Sequence, residues 1–138
     1  MDIETLRDFC LSLPEVSEEM PFGDTVLVFK VGGKIFALTS LDGEETSLNL
    51  KCTPDYAEYL RERWAGDIIG GYHMNKKHWN TVFCERGELE TNFLQDLILH
   101  SYQLILQGLK KAERERLLAL AAAAGLVFRL PPPLIDWA

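Results

Sequence analysis

Thr25-Val26-Leu27-Val28-Phe29-Lys30-Val31-Gly32-Gly33-Lys34-Ile35-Phe36-Ala37-Leu38-Thr39-Ser40 is the stretch that decides the fold. Two runs rich in β-branched and aromatic residues meet at Gly32-Gly33, and glycine accepts the positive φ that a primed two-residue turn demands. The stretch is therefore an antiparallel hairpin. Gly33-Lys34 has only a passing likeness to a phosphate loop, because the G-x-x-x-x-G-K-[ST] spacing is missing and no helix follows.

Working outward, Asp42-Gly43-Glu44-Glu45 supplies a turn, and Thr46-Ser47-Leu48-Asn49-Leu50-Lys51 alternates polar and apolar as a third antiparallel strand. Thr53-Pro54-Asp55 starts a short helix, with threonine as cap, proline at the first position and an acid in the first turn; Tyr56, Tyr59, Leu60 and Trp64 form its apolar stripe. Beyond Gly70-Gly71, residues Tyr72 to Met74 and Trp79 to Cys84 read as two more strands, joined by a turn at Asn75-Lys76-Lys77-His78. On the N-terminal side, Ile3, Leu6, Phe9, Cys10 and Leu13 recur at helical spacing, with Asp2 as N-cap and Pro14 past the end. Residues 15–24 form an acidic connector, with a short strand at its start. From Thr91 the period is again helical, through Leu94, Leu97, Ile98, Tyr102, Ile105 and Leu109, and ends at Gly108. A last helix runs from Lys110 to Ala124, with Leu117, Leu118, Leu120 and Ala121 as its packing surface.

This order specifies an α+β domain over residues 1–124: one antiparallel sheet of about five strands covered by helices on one face, with the other face left available. Residues 125–138 are apolar and proline-rich, and read as a C-terminal arm packed on the domain or on a partner.

At 138 residues, 47% apolar and 25% charged, the chain matches one ordinary globule, and no apolar run approaches the ~20 residues of a membrane span. Its start, Met1-Asp2-Ile3-Glu4, lacks the basic and apolar regions of a secretory signal, so a cytoplasmic location is expected. Cys10, Cys52 and Cys84 have no CxxC spacing and are expected as reduced thiols. Residues 1–69 hold six Lys/Arg against fourteen Asp/Glu, net −8, whereas residues 70–138 hold eight against seven, net +1. That acidity opposes extensive wrapping by nucleic acid, since phosphate neutralisation requires a basic excess.

The cationic exception is Gly70-Gly71-Tyr72-His73-Met74-Asn75-Lys76-Lys77-His78-Trp79-Asn80-Thr81-Val82. Zinc accepts ligands such as His73, His78 and Cys84, but a tight hairpin does not bring the two imidazoles together and no C-x₂-C pair supports them, so no metal site is assigned. G-x-S-x-G, H-E-x-x-H and G-x-G-x-x-G are absent; no catalytic residue and no cofactor are assigned. Two readings of the motif remain. In the first, Tyr72 and Trp79 pack into the covered face, Asn80 bridges turn backbone and His78 is a satisfied half-buried ring. In the second, His73, Asn75, Lys76, Lys77 and His78 present donors to an anion, either a DNA phosphate or a small anionic ligand, with Trp79 as a stacking platform.

Pro14-Glu15-Val16-x-Glu18, Pro21-Phe22-Gly23, Val28-Phe29-Lys30-Val31-Gly32-Gly33-Lys34-Ile35-Phe36-Ala37, Leu48-x-Leu50-Lys51-Cys52, the run Gly71 to Val82 and Ser101-Tyr102 together resemble the MmcQ/YjbR family over roughly residues 1–120. The resemblance implies a fold similar to CyaY, the bacterial frataxin, and DNA binding through a double-wing arrangement. It also suggests an iron site at Glu15, Glu18, Glu19 and Asp24. The expectation drawn from all of this is a non-catalytic binding or regulatory protein that contacts DNA through the turn 75–79. The alternatives are a small-molecule- or metal-binding domain, enzymatic or not, with a pocket at the same turn, and a protein-interaction module using the C-terminal arm.

Overall fold

A computed structural model describes residues 1–72 and 74–130. Its elements run α1 (Ile3–Ser12), β1 (Ser17–Glu19), β2 (Val26–Val31), β3 (Lys34–Ser40), β4 (Ser47–Lys51), α2 (Pro54–Arg63), β5 (Ile68–Gly70), β6 (Trp79–Phe83), α3 (Thr91–Gln107) and α4 (Lys111–Ala123). The hairpin β2–β3 forms as read. Gly32 and Gly33 adopt φ of 59° and 76°, and a Cβ on Gly32 would also lie 2.8 Å from the movable end of the Leu109 side chain.

The expected antiparallel sheet is present, and among the described residues it has six strands in the order β1-β2-β3-β4-β6-β5. The expected strand over Tyr72 to Met74 lies instead at Ile68–Gly70, because pairing ends where the Gly71 N–H meets the Trp79 carbonyl (2.8 Å) and the chain then turns, with the Met74 N–H on the Gly71 carbonyl. Helix α2 carries the chain past β4, so β5 becomes an edge strand and β6 fills the gap beside β4.

Helices α1 to α4 all contribute to one core on one face of the sheet. Leu27, Phe29, Val31, Phe36, Leu48, Leu50 and Val82 from the strands meet Leu6 and Cys10 of α1, Tyr56 and Leu60 of α2, Leu94, Ile98 and Tyr102 of α3, and Leu117 of α4. The Asp2 carboxylate caps α1 through the Thr5 N–H (2.8 Å), as its position requires. Thr53 stands at the start of α2, but its hydroxyl makes no cap and is buried without a partner among the described residues. On α4, Leu117 and Ala121 are buried while Leu120 is exposed. Among the described residues, no helix is long and apolar enough to cross a membrane.

The Ser101-Tyr102 pair is structural. Between β3 and β4 only Ala37↔Leu50 and Leu38↔Asn49 are paired directly, and β3 carries an extra residue at Phe36. The Ser101 hydroxyl fills the resulting gap, donating to the Phe36 carbonyl (2.6 Å) and accepting the Lys51 N–H (2.9 Å). At the other end of this seam the Thr39 hydroxyl donates to the Ser47 carbonyl (2.7 Å). Tyr102 meets Phe36 edge to face and donates to the Pro14 carbonyl (2.8 Å), tying α3 to the end of α1. The described start of the C-terminal segment lies along α3: Phe128 stacks on Tyr102, Arg129 pairs with Asp96, and the Leu130 carbonyl is 3.1 Å from His100 Nδ1. Residues 131–138, where most of the expected arm falls, lie outside the described residues.

Candidate functional site

The turn at 75–79 is built by its own backbone and clamped from α2. Asn75 Oδ1 accepts the Lys77 N–H (2.9 Å), and the Asn75 carbonyl accepts the N–H groups of His78 and Trp79. Arg61 of α2 donates through Nε to Asn80 Oδ1 (2.7 Å) and through its terminal nitrogen to the Lys76 carbonyl. Asn80 is buried, 1% exposed, and its Nδ2 reaches the Ala57 carbonyl (3.4 Å). It therefore bridges strand to helix, not the turn backbone expected of it. Gly71 is obligatory for a different reason from the hairpin glycines: a Cβ there would fall 2.8 Å from Trp79 Cβ and 3.0 Å from its carbonyl oxygen.

Of the residues expected to contact a ligand, Asn75, Lys76 and Lys77 are exposed together on this turn, and His78 and Trp79 are half-buried. Asn75 spends its side-chain oxygen on the turn. The Lys76 stem lies over Gly70. His73 lies outside the described residues. Lys51 pairs with Trp79 across β4 and β6 and extends the cationic corner.

A second feature stands on the sheet face away from the helices. Strand alternation puts Asn80 and Val82 toward the core, so Thr81 points outward. One outward row crosses all six strands as Glu19, Val28, Leu38, Asn49, Thr81 and Ile69. Over its middle lies a cavity of about 490 Å³. Phe22, Tyr72 and Met74 form its walls; Val26, Leu38 and Ser40 floor it on the β2–β3 side, and Ser47, Asn49 and Thr81 give it a polar floor on the β4–β6 side. Among the described residues, none that lines it carries a charge. Tyr72, 65% exposed, thus stands on the open face and not in the covered one as the first reading of the motif required.

A relay of hydrogen bonds sets the polar floor. The Tyr72 N–H donates to Thr81 Oγ1 (3.0 Å), and the Thr81 hydroxyl donates to Asn49 Oδ1. That chain places the oxygen of the Asn49 amide against Thr81 and leaves its amino group as the donor.

The other reactive groups are held quiet. Burial pushes the thiols of Cys10, Cys52 and Cys84 up to about 12, and burial lowers the His100 imidazole to about 4 against the opposing effect of the Leu130 carbonyl. The acidic connector is distributed over separate ion pairs: Glu15 with Arg116, Glu18 with Arg7 and Glu19 with Lys30. Among the described residues no group of three His, Cys, Asp or Glu side chains could hold a metal.

Sequence reasoning missed the open-face cavity. Its signal was present in the outward polar positions Ser47, Asn49 and Thr81, which neighbour the apolar Leu48, Leu50 and Val82, and in Phe22, an aromatic on a Pro-Phe-Gly loop.

The family model described as YjbR matches residues 11–104. The uncharacterised protein YbdF of Escherichia coli O157:H7 is 41% identical over 113 residues, covering 82% of this chain and 91% of that protein. The uncharacterised protein YjbR of Escherichia coli K12 is 28% identical over 120 residues, covering 87% of this chain and all of that one. Among solved structures, a Deinococcus radiodurans protein carrying the family-model domain DUF419 superimposes with a TM-score of 0.79 at 38% identity, covering 94% of this chain and 91% of its own.

Proposed function

The chain belongs to the YjbR family, and we propose that it acts as a non-catalytic binding protein that takes a small ligand on the open face of its sheet, with Tyr72 and Met74 on the rim. The observation that carries this reading is the cavity of about 490 Å³ walled by Phe22, Tyr72 and Met74, a size and composition suited to a small molecule held by apolar walls and oriented by a few polar groups. The neutral, buried state of the three thiols and of His100 supports binding without covalent or acid–base chemistry. Filling the cavity from its floor tests the reading. Leu38→Trp should abolish the thermal stabilisation given by fragments that bind the wild-type chain, and fragments that stabilise both proteins equally would refute it.

A second reading, DNA contact at the cationic corner, is favoured by one specific observation: Lys76 and Lys77 are exposed side by side on a turn to which Arg61 donates a hydrogen bond. On this reading Lys76→Ala with Lys77→Ala weakens DNA binding and lowers its salt slope by up to ~2. Binding that the double substitution leaves unchanged would remove it.

A further inference from the structure

The polar floor of the open-face cavity has a direction, and it selects among ligands. Thr81 Oγ1 accepts the Tyr72 N–H and donates its own proton to Asn49 Oδ1, which leaves the Asn49 amino group as the donor on a surface otherwise walled by Phe22, Tyr72 and Met74. Resting on the small-ligand reading above, we propose that the cavity takes a flat, uncharged ring system that presents a carbonyl or ring-nitrogen acceptor to Asn49 Nδ2.

Three features of the site support this class. Aromatic and thioether walls favour a flat π-system, which stacks on Tyr72 or Phe22 and meets the Met74 sulfur at its edge. The absence of charge among the described lining residues disfavours an ionised group at the floor, because nothing there repays its lost hydration. A donor held by a relay discriminates more sharply than a free one, since a ligand without an acceptor leaves the amino group desolvated and unpaired. The cationic corner at Lys51, Lys76 and Lys77 stands outside the lining, so an anionic substituent on such a ring is not required for recognition at the floor.

The test titrates the full chain with 1-methyl-2-quinolone, a flat ring system with an acceptor carbonyl and no donor, and with naphthalene, its near-isostere without polar atoms, following backbone amide shifts. The quinolone should bind about tenfold more tightly than naphthalene, with shifts centred on Asn49, Tyr72 and Thr81. Asn49→Leu should erase the difference. Asn49→Asp, which keeps an acceptor for Thr81 but removes the donor, should erase it too and guards against a folding defect in the first variant. Equal binding of both probes at this face, or a preference that survives both variants, overturns the acceptor rule while leaving the cavity as a binding site. No shift at this face with either probe overturns the rule and the small-ligand reading together, as would shifts there that follow protein concentration or the deletion of residues 131–138, because the face would then belong to a second copy or to the chain's own C-terminus.

Discussion

Two glycines separate two kinds of requirement at the scale of single residues. Gly33 sits at φ 76° with open space where a Cβ would go, whereas Gly71 has no such φ and faces Trp79 at 2.8 Å. Gly33→Ala should therefore cost about 1 kcal/mol from backbone strain alone. Gly71→Ala should cost more, about 2–3 kcal/mol, because the neighbour is strand backbone that cannot step aside. Urea denaturation of the two variants measures the difference, and equal midpoints would contradict the steric account. The sequence shows both as glycine pairs, and the hairpin pair was legible because two β-rich runs flank it. The second pair was not, since the obstacle at Gly71 is a residue eight positions away whose approach depends on where β5 ends.

At the scale of elements, side chains finish what the backbone leaves open. Ser101→Ala should strand the Phe36 carbonyl and the Lys51 N–H, destabilising the protein by about 2 kcal/mol or more and speeding hydrogen exchange at Lys51 above that at Leu50. Arg61→Ala should loosen the turn, seen as faster exchange at Lys77 and His78 with β4–β6 pairing unchanged; protection equal to wild type would show that the turn stands alone. Helices were the most legible elements, because their boundaries follow from caps and periodicity: Asp2, Pro54 and Gly108 each stand where the sequence places them. The placement of β5 was not legible. Ile68-Ile69-Gly70 is too short to show alternation, and its pairing is decided by β6, eleven residues downstream. The cavity failed for a related reason: Phe22, Asn49, Tyr72 and Thr81 come from four separate segments, and only the sheet order brings them together.

For the whole molecule, acid is the condition that finds the weak point. Burial lowers the His100 pKa from 6.5 to about 4, so the unfolded chain takes up a proton across that interval that the folded protein refuses. Stability is therefore complete above about 6.5, falls with pH down to about 4, and levels for this group below it. His100→Gln, which keeps a donor for the Leu130 carbonyl, should flatten that part of the pH dependence of the urea midpoint; an unchanged slope would mean the ring is not the acid-sensitive group. The lowered carboxylates of Glu15 and Glu18, held by hydrogen bonds from Arg116 and Arg7, add a further loss as pH falls below their ordinary range. The seam between β3 and β4 gives the sheet a mechanical character that its strand count hides. With two directly paired positions flanked by the hydroxyls of Ser101 and Thr39, the sheet is a pair of three-stranded leaves joined by a compliant spine, and the cavity straddles that spine with Leu38 on one leaf and Asn49 on the other. A guest lying across both leaves would act as a splint, and its grip would be felt first in α3, the helix that carries Ser101.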